Sequence, residues 1–306
     1  MGGMTVGRDF DPLDFIDVSD GQFHELPINV LQSAIFPVVV MRESTITLVG
    51  TAFNVSPTGL FVSAKHVVEE AIRICQSEPN SWIALIWIKS GAGYEDVPDL
   101  LGGQLPVNQF YVNDNHDVAI LHPRQLLEGG QPVTFPIVGL DTRVPPIGTA
   151  VLGLGYTRMT IQSHENSDAL RKVTTDQAFH ASHGFVTQVF PGGRDRVMIP
   201  FPAFESDARF DPGMSGGPVF AGDSTYVCGV VCSGLSSDDE AAGWTSFASM
   251  ALNALVLNVT VDQSTDTSAT LFELAKQGFV QMDENFDRLS LVEDGDAPYL
   301  SFPGPQ

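Results

Sequence analysis

The stretch FDPGMSGGPVF, residues 210–220, places one serine, Ser215, among Gly213, Gly216 and Gly217. Glycines at this spacing indicate a backbone that bends where side chains would collide. The simplest interpretation is a tight turn that needs glycine. A stronger interpretation is a serine nucleophile on a strained loop, with N–H groups free to bind an oxyanion. The rest of the sequence has to decide between them.

Charge excludes one large class of partner. The chain has 306 residues, enough for one large domain or two modest ones, and its formal net charge is −22. Nucleic acids and anionic membranes bind basic surfaces, so neither is expected as a partner. The acidic residues concentrate at the ends, with −5 in residues 1–29 and −7 in residues 262–306. Acidic ends keep a protein soluble, but they could also cover a cleft or form an interface.

The three cysteines, Cys75, Cys228 and Cys232, predict no disulfide framework. Cys228 and Cys232 lie four apart in a predicted strand, roughly 13 Å, which is too far to bridge. A reducing compartment is the simpler account. The N-terminus has neither the basic nor the apolar region of a secretory signal, and the longest apolar run, residues 82–88, is too short to span a membrane. We therefore expect a cytoplasmic protein.

Short apolar runs separated by Gly, Pro, Asn and Asp indicate an all-β protein, either barrel or sandwich. The runs are IFPVVVM (35–41), ITLVGTAFNV (46–55), GLFVSA (59–64), WIALIWI (82–88), QFYVN (109–113), DVAILHP (117–123), TAVLGLGY (149–156), GFVTQVF (184–190), RVMIPF (196–201), GPVF (217–220) and TYVCGVVC (225–232). The Pro-rich segment 135–148 is expected to link two β subdomains. Helices are expected over 248–257, ending the core, and over 269–279, opening an acidic tail.

The order of residues along the chain limits which nucleophile chemistry is open to Ser215. All seven histidines precede Ser215, whereas the G-x-S-x-G elbow of α/β-hydrolases needs its histidine after the serine. A subtilisin order, Asp then His then Ser, would need a parallel α/β sheet that these short strands do not offer. The order His, Asp, Ser remains. His66 follows two apolar runs at the start of a helical turn near Ala64, and Asp117 lies in a polar turn that enters an apolar strand.

Three motifs in this order resemble the signatures of the chymotrypsin-like (trypsin-like) serine peptidases, of the bacterial or intracellular type without disulfides. The motifs are SAKH (63–66), HDVAIL (116–121) and GMSGGP (213–218), separated by 51 residues from His66 to Asp117 and 98 from Asp117 to Ser215. The resemblance covers about residues 30–260. It implies two six-stranded antiparallel β-barrels with the active site between them, followed by a C-terminal helix and acidic tail.

The resemblance also implies a division of the chain into three parts. Residues 1–29 form an acidic N-terminal extension, residues 30–262 the peptidase domain, and residues 263–306 an acidic C-terminal extension with a short helix. Within the domain, barrel 1 is expected at about 30–134 and barrel 2 at about 145–262.

The triad template gives each motif residue a role. Ser215 is the expected nucleophile, His66 its general base and acid, and Asp117 the group that orients the imidazole. Asp114 replaces Asp117 only if the strand begins three residues earlier, and His116 is expected to point away because successive strand residues face opposite ways. The chemistry needs no cofactor and no metal.

The oxyanion hole is expected from backbone N–H groups of Gly213, Met214 and Ser215. Secreted digestive relatives carry an aspartate before the serine, which pairs with a newly cut N-terminus and completes this hole. Here that residue is Met214, so activation by such an ion pair is not expected. Either the chain folds without N-terminal processing, or a regulatory protein partner arranges residues 210–214.

Specificity is less readable from the sequence. By resemblance, Cys232, Ser233 and Gly234 line the S1 pocket, and Arg209 falls near its base. A cation there would prefer an acidic P1 side chain. Alternatively, Arg209 turns to solvent or pairs with Glu205 or Asp207.

Taken together, the sequence predicts a serine endopeptidase acting on polypeptides, either broadly or as the processor of one partner protein. The alternative is a catalytically silent chymotrypsin-fold module that binds a peptide or partner.

Overall fold

The computed structural model describes residues 23–26, 30–42, 45–90, 100–128, 130–164, 172–222, 224–236, 244–262, 267–292 and 298–302. Most of the predicted N-terminal extension and the end of the predicted tail lie outside these residues. Two closed antiparallel barrels account for most of the strands. None of the helices in the described residues is long and apolar enough to span a membrane.

Barrel 1 follows a short separate strand, β1 (Phe23–Leu26), and a 3-10 turn at Val30–Ser33. It closes in the order β2-β3-β4-β7-β6-β5. Its strands are β2 (Ile35–Arg42), β3 (Thr45–Asn54), β4 (Phe61–Ser63), β5 (Ser81–Ser90), β6 (Leu100–Val112) and β7 (Ala119–Pro123). The helix α1 (Lys65–Ser77) connects β4 to β5. A small hairpin of β8 (Leu127–Glu128) and β9 (Gln131–Pro132) follows the barrel.

Barrel 2 closes because β11 pairs with both β10 and β12. Its strands are β10 (Ala150–His164), β11 (Lys172–Phe190), β12 (Ala203–Ser206), β13 (Pro218–Ala221), β14 (Val227–Ser236) and β15 (Trp244–Met250). The strand β1 lies outside this ring and pairs antiparallel with residues 179–182 of β11. The strand β1 is thus attached to the second barrel, although it precedes the first in the sequence.

The C-terminal segment is built around a short capped helix. A 3-10 helix (Ala251–Val256) leads from barrel 2 to the pair β16 (Asn258–Asp262) and β17 (Thr267–Thr270). The helix α2 (Leu271–Lys276) begins with a capping box of Thr270 and Glu273, which satisfies two N–H groups that a helix start leaves unpaired. A 3-10 turn (Phe286–Arg288) and the pair β18 (Ser290–Val292) and β19 (Tyr299–Ser301) complete it.

The all-β prediction with two six-stranded barrels is confirmed, but two local predictions are wrong. RVMIPF (196–201) is a loop, because the Asp195 carboxylate accepts the N–H groups of Val197 at 2.8 Å and Met198 at 2.6 Å and so forms a turn. The segment 248–257 is not the one continuous helix that the sequence predicts, and it contains no α-helix. It begins as the end of β15, where barrel pairing outweighs helix propensity, and continues as the 3-10 helix.

The C-terminal segment is part of the core and not only a solubilising tail. Phe272, Phe286 and Leu289 belong to the same buried cluster as Phe61 and Leu121 of barrel 1. The linker between the barrels joins it as well, since Leu140 N–H donates to Gln281 O at 2.9 Å and Asp283 N–H donates to Leu140 O at 3.1 Å. The segment therefore stabilises barrel 1 and the linker together.

Replacing Phe272 tests this packing. Phe272 is 4% exposed and packs against Phe286 in a tilted arrangement, with ring centroids 5.2 Å apart. Phe272→Ala should lower the free energy of unfolding by about 3 kcal/mol, because it leaves a cavity in a dense core. Phe279, which is 43% exposed, supplies the matched control, and Phe279→Ala should lower it by less than about 1 kcal/mol. Equal losses in urea unfolding would contradict a structural role for the segment.

Candidate active site

His66 is the second residue of α1 and contacts Asp117 twice. Asp117 Oδ1 accepts the His66 backbone N–H at 3.0 Å, and Oδ2 lies 2.8 Å from His66 Nδ1. An ionised carboxylate only accepts hydrogen bonds, so Nδ1 carries the ring proton and Nε2 keeps its lone pair. The carboxylate is buried, whereas the His66 side chain is 43% exposed. The ring is thus fixed in a tautomer that can take a proton at Nε2.

The competing acid and the competing histidine lie elsewhere. Asp114 is exposed and pairs with Lys65 Nζ at 2.7 Å. His116 is half-buried, and its Nδ1 has no hydrogen-bond partner. Burial lowers the pKa of His116 to about 4, so it is neutral near pH 7. Of the two aspartates, only Asp117 hydrogen-bonds to His66.

Ser215 lies on a loop of barrel 2 that packs against barrel 1. The Thr51 N–H of β3 donates to Ser215 O at 2.8 Å. The next residue, Gly216, has φ +85°, and a Cβ there would collide with Ser63 Oγ and Thr51 O and lie 3.0 Å from Ala64 N. Since Ser63 and Ala64 directly precede α1, glycine at 216 allows the serine loop to reach the chain segment that carries His66.

The Ser215 hydroxyl donates to the Cys232 carbonyl at 3.1 Å. In the described part of the chain it makes no hydrogen bond to His66. Burial and the Asp117 carboxylate raise the pKa of the Cys232 thiol, so Cys232 stays a neutral thiol.

The loop before Ser215 presents two free backbone donors. Gly213 has φ +93°, a conformation that favours glycine, and in the described residues neither Gly213 N–H nor Ser215 N–H donates to a backbone carbonyl. The Met214 N–H donates to Asp211 O at 3.0 Å, so Met214 is removed from the predicted oxyanion donors. Gly213 and Ser215 remain as a pair that could bind an oxyanion.

The model of the trypsin-like peptidase domain matches residues 50–230, which extend from β3 to β14. The chain belongs to this family.

Solved structures resemble it at low identity. The inactive form of Rv3671c from M. tuberculosis H37Rv, a serine-to-alanine mutant, is 19% identical over 79% of this chain and 88% of that chain, with a TM-score of 0.43. The active form of the Rv3671c protease from M. tuberculosis is 18% identical over 72% and 77%, with a TM-score of 0.43. Deg5 is 15% identical over 66% and 80%, with a TM-score of 0.42. No curated protein sequence matches the chain.

The assignment of the S1 pocket of this trypsin-like chain to Arg209, Cys232, Ser233 and Gly234 stays a prediction. Arg209 pairs with neither Glu205 nor Asp207. Its Nε and Nη2 donate to the two carboxylate oxygens of Asp211, both at 2.7 Å. The Cys232 side chain is buried in a cluster with Ile199, Ala203 and Phe247.

Ser233 and Gly234 are half-buried on β14, and a Cβ at 234 would collide with Phe210 O. In the described residues, no group of His, Cys, Asp and Glu could hold a metal ion.

Sequence reasoning missed Thr51, which joins the two barrels at the oxyanion loop. Its side chain is fully buried, Oγ1 donates to Gly213 O at 2.8 Å, and the same oxygen accepts the Tyr156 N–H at 3.0 Å. The signal that could have identified it is a hydroxyl inside the apolar run GTAF. A buried polar side chain is normally hydrogen-bonded, so a threonine at a buried strand position indicates a specific hydrogen-bond partner.

Thr51→Val removes both hydrogen bonds and keeps the shape of the side chain. We expect a loss of about 2 kcal/mol in the free energy of unfolding, since Gly213 O and Tyr156 N–H lose a buried partner. Thr51→Ser keeps the hydroxyl and should therefore retain most of the stability that Thr51→Val loses. Thr45 lies on the same strand, and its hydroxyl bonds to Arg42 O at an exposed site. Urea unfolding of Thr45→Val gives the matched control, and an equal loss in both valine variants would refute the bridging role.

Four half-buried histidines predict loss of stability in acid. Burial lowers the pKa values of His116, His122, His180 and His183, so the folded chain binds fewer protons than the unfolded chain. Stability is then complete above the unfolded pKa of about 6.5 and is lost as pH falls from there towards the folded values.

For His116 alone the loss between pH 7 and pH 5 is on the order of 1–2 kcal/mol. Urea unfolding at the two pH values measures it. His116→Asn should reduce the difference between the two pH values. An unchanged pH dependence in that variant would contradict this assignment.

Proposed function

We propose that this chain is a serine endopeptidase that hydrolyses peptide bonds through an acyl-enzyme intermediate. Ser215 is the nucleophile, His66 the general base and acid, and Asp117 the group that orients and stabilises the imidazolium. The observation that carries the proposal is the 2.8 Å contact between His66 Nδ1 and the buried Asp117 carboxylate. His66 lies at the start of α1, and the residues directly before this helix pack against the Ser215 loop. Membership of the trypsin-like family supports it.

The reaction follows from this geometry in two halves. Ser215 Oγ attacks the scissile carbonyl carbon while His66 Nε2 takes the hydroxyl proton, and the carbonyl oxygen becomes an oxyanion held by Gly213 N–H and Ser215 N–H. The intermediate collapses when His66 gives the proton to the leaving amine, which frees the C-terminal product. Water then attacks the acyl-enzyme by the same proton route and releases the N-terminal product and Ser215.

The Ser215 hydroxyl must turn from Cys232 O towards His66 for this attack. A single side-chain rotation of this kind is fast on the time scale of turnover. The hydrogen bond to Cys232 is therefore a resting arrangement, and bound substrate shifts the hydroxyl to the imidazole.

The same hydrogen bond favours the second candidate, a catalytically silent module that binds a peptide or partner. In that case the hydroxyl stays on Cys232 O and the His66–Asp117 pair only stabilises the helix start. A binder, however, gains nothing from a His66 tautomer that leaves the Nε2 lone pair free. The peptidase is the better-supported proposal.

Substrate range is a further proposal. The substrate is a polypeptide, and the acidic ends of the chain favour action on a dedicated partner, in a cytoplasmic compartment that suits three free thiols. The acidic P1 preference stays a prediction, weakened by the Arg209–Asp211 pair. A peptide library that favours Lys, Arg or large aromatics at P1 would refute it.

Cleavage assays on casein and on a proteome lysate test the proposed function. Wild-type protein should cleave, and Ser215→Ala should abolish cleavage. Asp117→Asn should lower the rate by on the order of 10⁴, because the amide no longer holds the tautomer that leaves Nε2 free. A single cleaved species in the lysate indicates a dedicated processor, and broad cleavage indicates a general peptidase.

Asp114→Asn is the matched control, since Asp114 is three residues away and pairs with Lys65. It should keep near wild-type activity. Cleavage that survives Ser215→Ala, or no cleavage by wild type in either assay, contradicts the proposal, and the latter result favours the binding module.

A further inference from the structure

We propose that Arg209 is a positioning residue that holds the oxyanion loop, residues 209–215, and that the N-terminal strand β1 supplies half of its support. The Arg209 guanidinium lies between the rings of Phe23 of β1 and Trp244 of β15 and donates two hydrogen bonds to the Asp211 carboxylate. The inference rests on the proposed peptidase function and concerns how its oxyanion donors are kept in place.

The loop needs such a support because the residue before the serine is apolar. Met214 is fully buried in the core of barrel 2, with Phe210 and Val219. It carries no charge that could pair with a chain terminus. The position of Gly213 N–H and Ser215 N–H must therefore be fixed by other contacts of the loop.

The first contact is the fork between Arg209 and Asp211. The guanidinium donates to both carboxylate oxygens at 2.7 Å, a two-point geometry that fixes direction as well as distance. The carbonyl of the same Asp211 accepts the Met214 N–H at 3.0 Å. The fork thus fixes a turn whose third residue is Gly213.

The second contact is a pair of aromatic rings around the guanidinium. Its Cζ lies 4.3 Å from the ring centroid of Phe23 and 4.8 Å from that of Trp244. Attraction between the cation and the ring faces restrains a side chain that is 40% exposed and would otherwise move in solvent. Phe23 is held in turn by stacking on His180 at 4.6 Å and by the pairing of β1 with β11.

Gly213 is held from the other side by Thr51 Oγ1, which donates to its carbonyl. With one end fixed by barrel 1 and the other by Arg209, both free N–H groups keep one orientation. Without Arg209 the loop would share its time among several arrangements. The rate would then fall to the wild-type rate multiplied by the fraction of time that the loop spends in the catalytically competent arrangement.

The pairing of Arg209 with Asp211 also distinguishes a positioning role from a role in substrate recognition. The Asp211 carboxylate neutralises the guanidinium, so the pair offers no net positive charge to an acidic P1 residue. A recognition role predicts weaker binding of acidic ligands when Arg209 is replaced. A positioning role predicts slower chemistry with unchanged binding.

The test measures covalent inactivation by a neutral fluorophosphonate probe, which separates probe affinity from the rate of reaction at the serine. Arg209→Gln should lower the inactivation rate constant about tenfold or more, up to the factor of 10²–10³ expected for complete loss of an oxyanion donor, and leave probe affinity within about twofold. Arg209→Lys should not restore the rate, because an ammonium has no fork. Phe23→Leu should lower the rate less, and adding it to Arg209→Gln should have no further effect.

Arg158→Gln is the matched control. Arg158 belongs to barrel 2, and its exposed side chain pairs with Asp176 of β11 at 3.3 Å and not with Asp211 of the loop. It should react at the wild-type rate.

Hydrogen exchange gives a readout that does not need activity. Arg209→Gln should speed the exchange of peptides covering residues 210–215 and leave peptides from barrel 1 unchanged. An unchanged exchange rate, or an inactivation rate equal to that of Arg158→Gln, would overturn the positioning role. If wild type does not react with the probe while exchange still rises in Arg209→Gln, the peptidase proposal fails and the positioning of the loop stands.

Discussion

The hydrogen bonds of Thr51 to the serine loop are the contacts on which the rest of the site depends. Its N–H donates to Ser215 O and its hydroxyl to Gly213 O, so one residue of barrel 1 holds both residues whose N–H groups are the candidate oxyanion donors. Barrel 1 also supplies His66 and Asp117. A shift of one barrel against the other would therefore separate the base from the nucleophile and turn the oxyanion donors away together. The site requires the two barrels to behave as one body.

Several parts of the chain outside the barrels serve this requirement. The linker that joins the barrels is hydrogen-bonded to residues 281–283, and the C-terminal segment shares its core with barrel 1. The strand β1 lies on barrel 2 and brings Phe23 to Arg209. The two terminal regions that looked like acidic extensions thus contribute apolar and aromatic contacts near the linker and near the oxyanion loop.

The sequence predicted strands and a candidate triad because both leave short-range signals. Short apolar runs between turn residues mark strands, and the motifs that contain His66, Asp117 and Ser215 resemble a family with two six-stranded barrels. All histidines precede Ser215, which excludes the α/β-hydrolase elbow, and the short strands do not offer the parallel sheet that the subtilisin order needs. Sequence reasoning failed where a partner distant in sequence decides the structure. The turn at 194–199 depends on the Asp195 carboxylate, which an apolar pattern does not register. Residues 248–250 became strand because they pair with β14, and β1 has no apolar pattern of its own. The spacing to Ser215 placed Arg209 near the base of the S1 pocket, but spacing could not identify Asp211 as the partner of its guanidinium.

The proposed peptidase chemistry requires Ser215 to be a nucleophile that His66 activates. Mass spectrometry of digested wild type and His66→Ala, after reaction with a fluorophosphonate probe, identifies the residue that the probe modifies. We expect a single adduct on the peptide that contains Ser215 in the wild type, and its loss in His66→Ala, because His66 is the proposed acceptor of the hydroxyl proton. An adduct on another residue, no adduct in the wild type, or an undiminished adduct in His66→Ala would refute this activation.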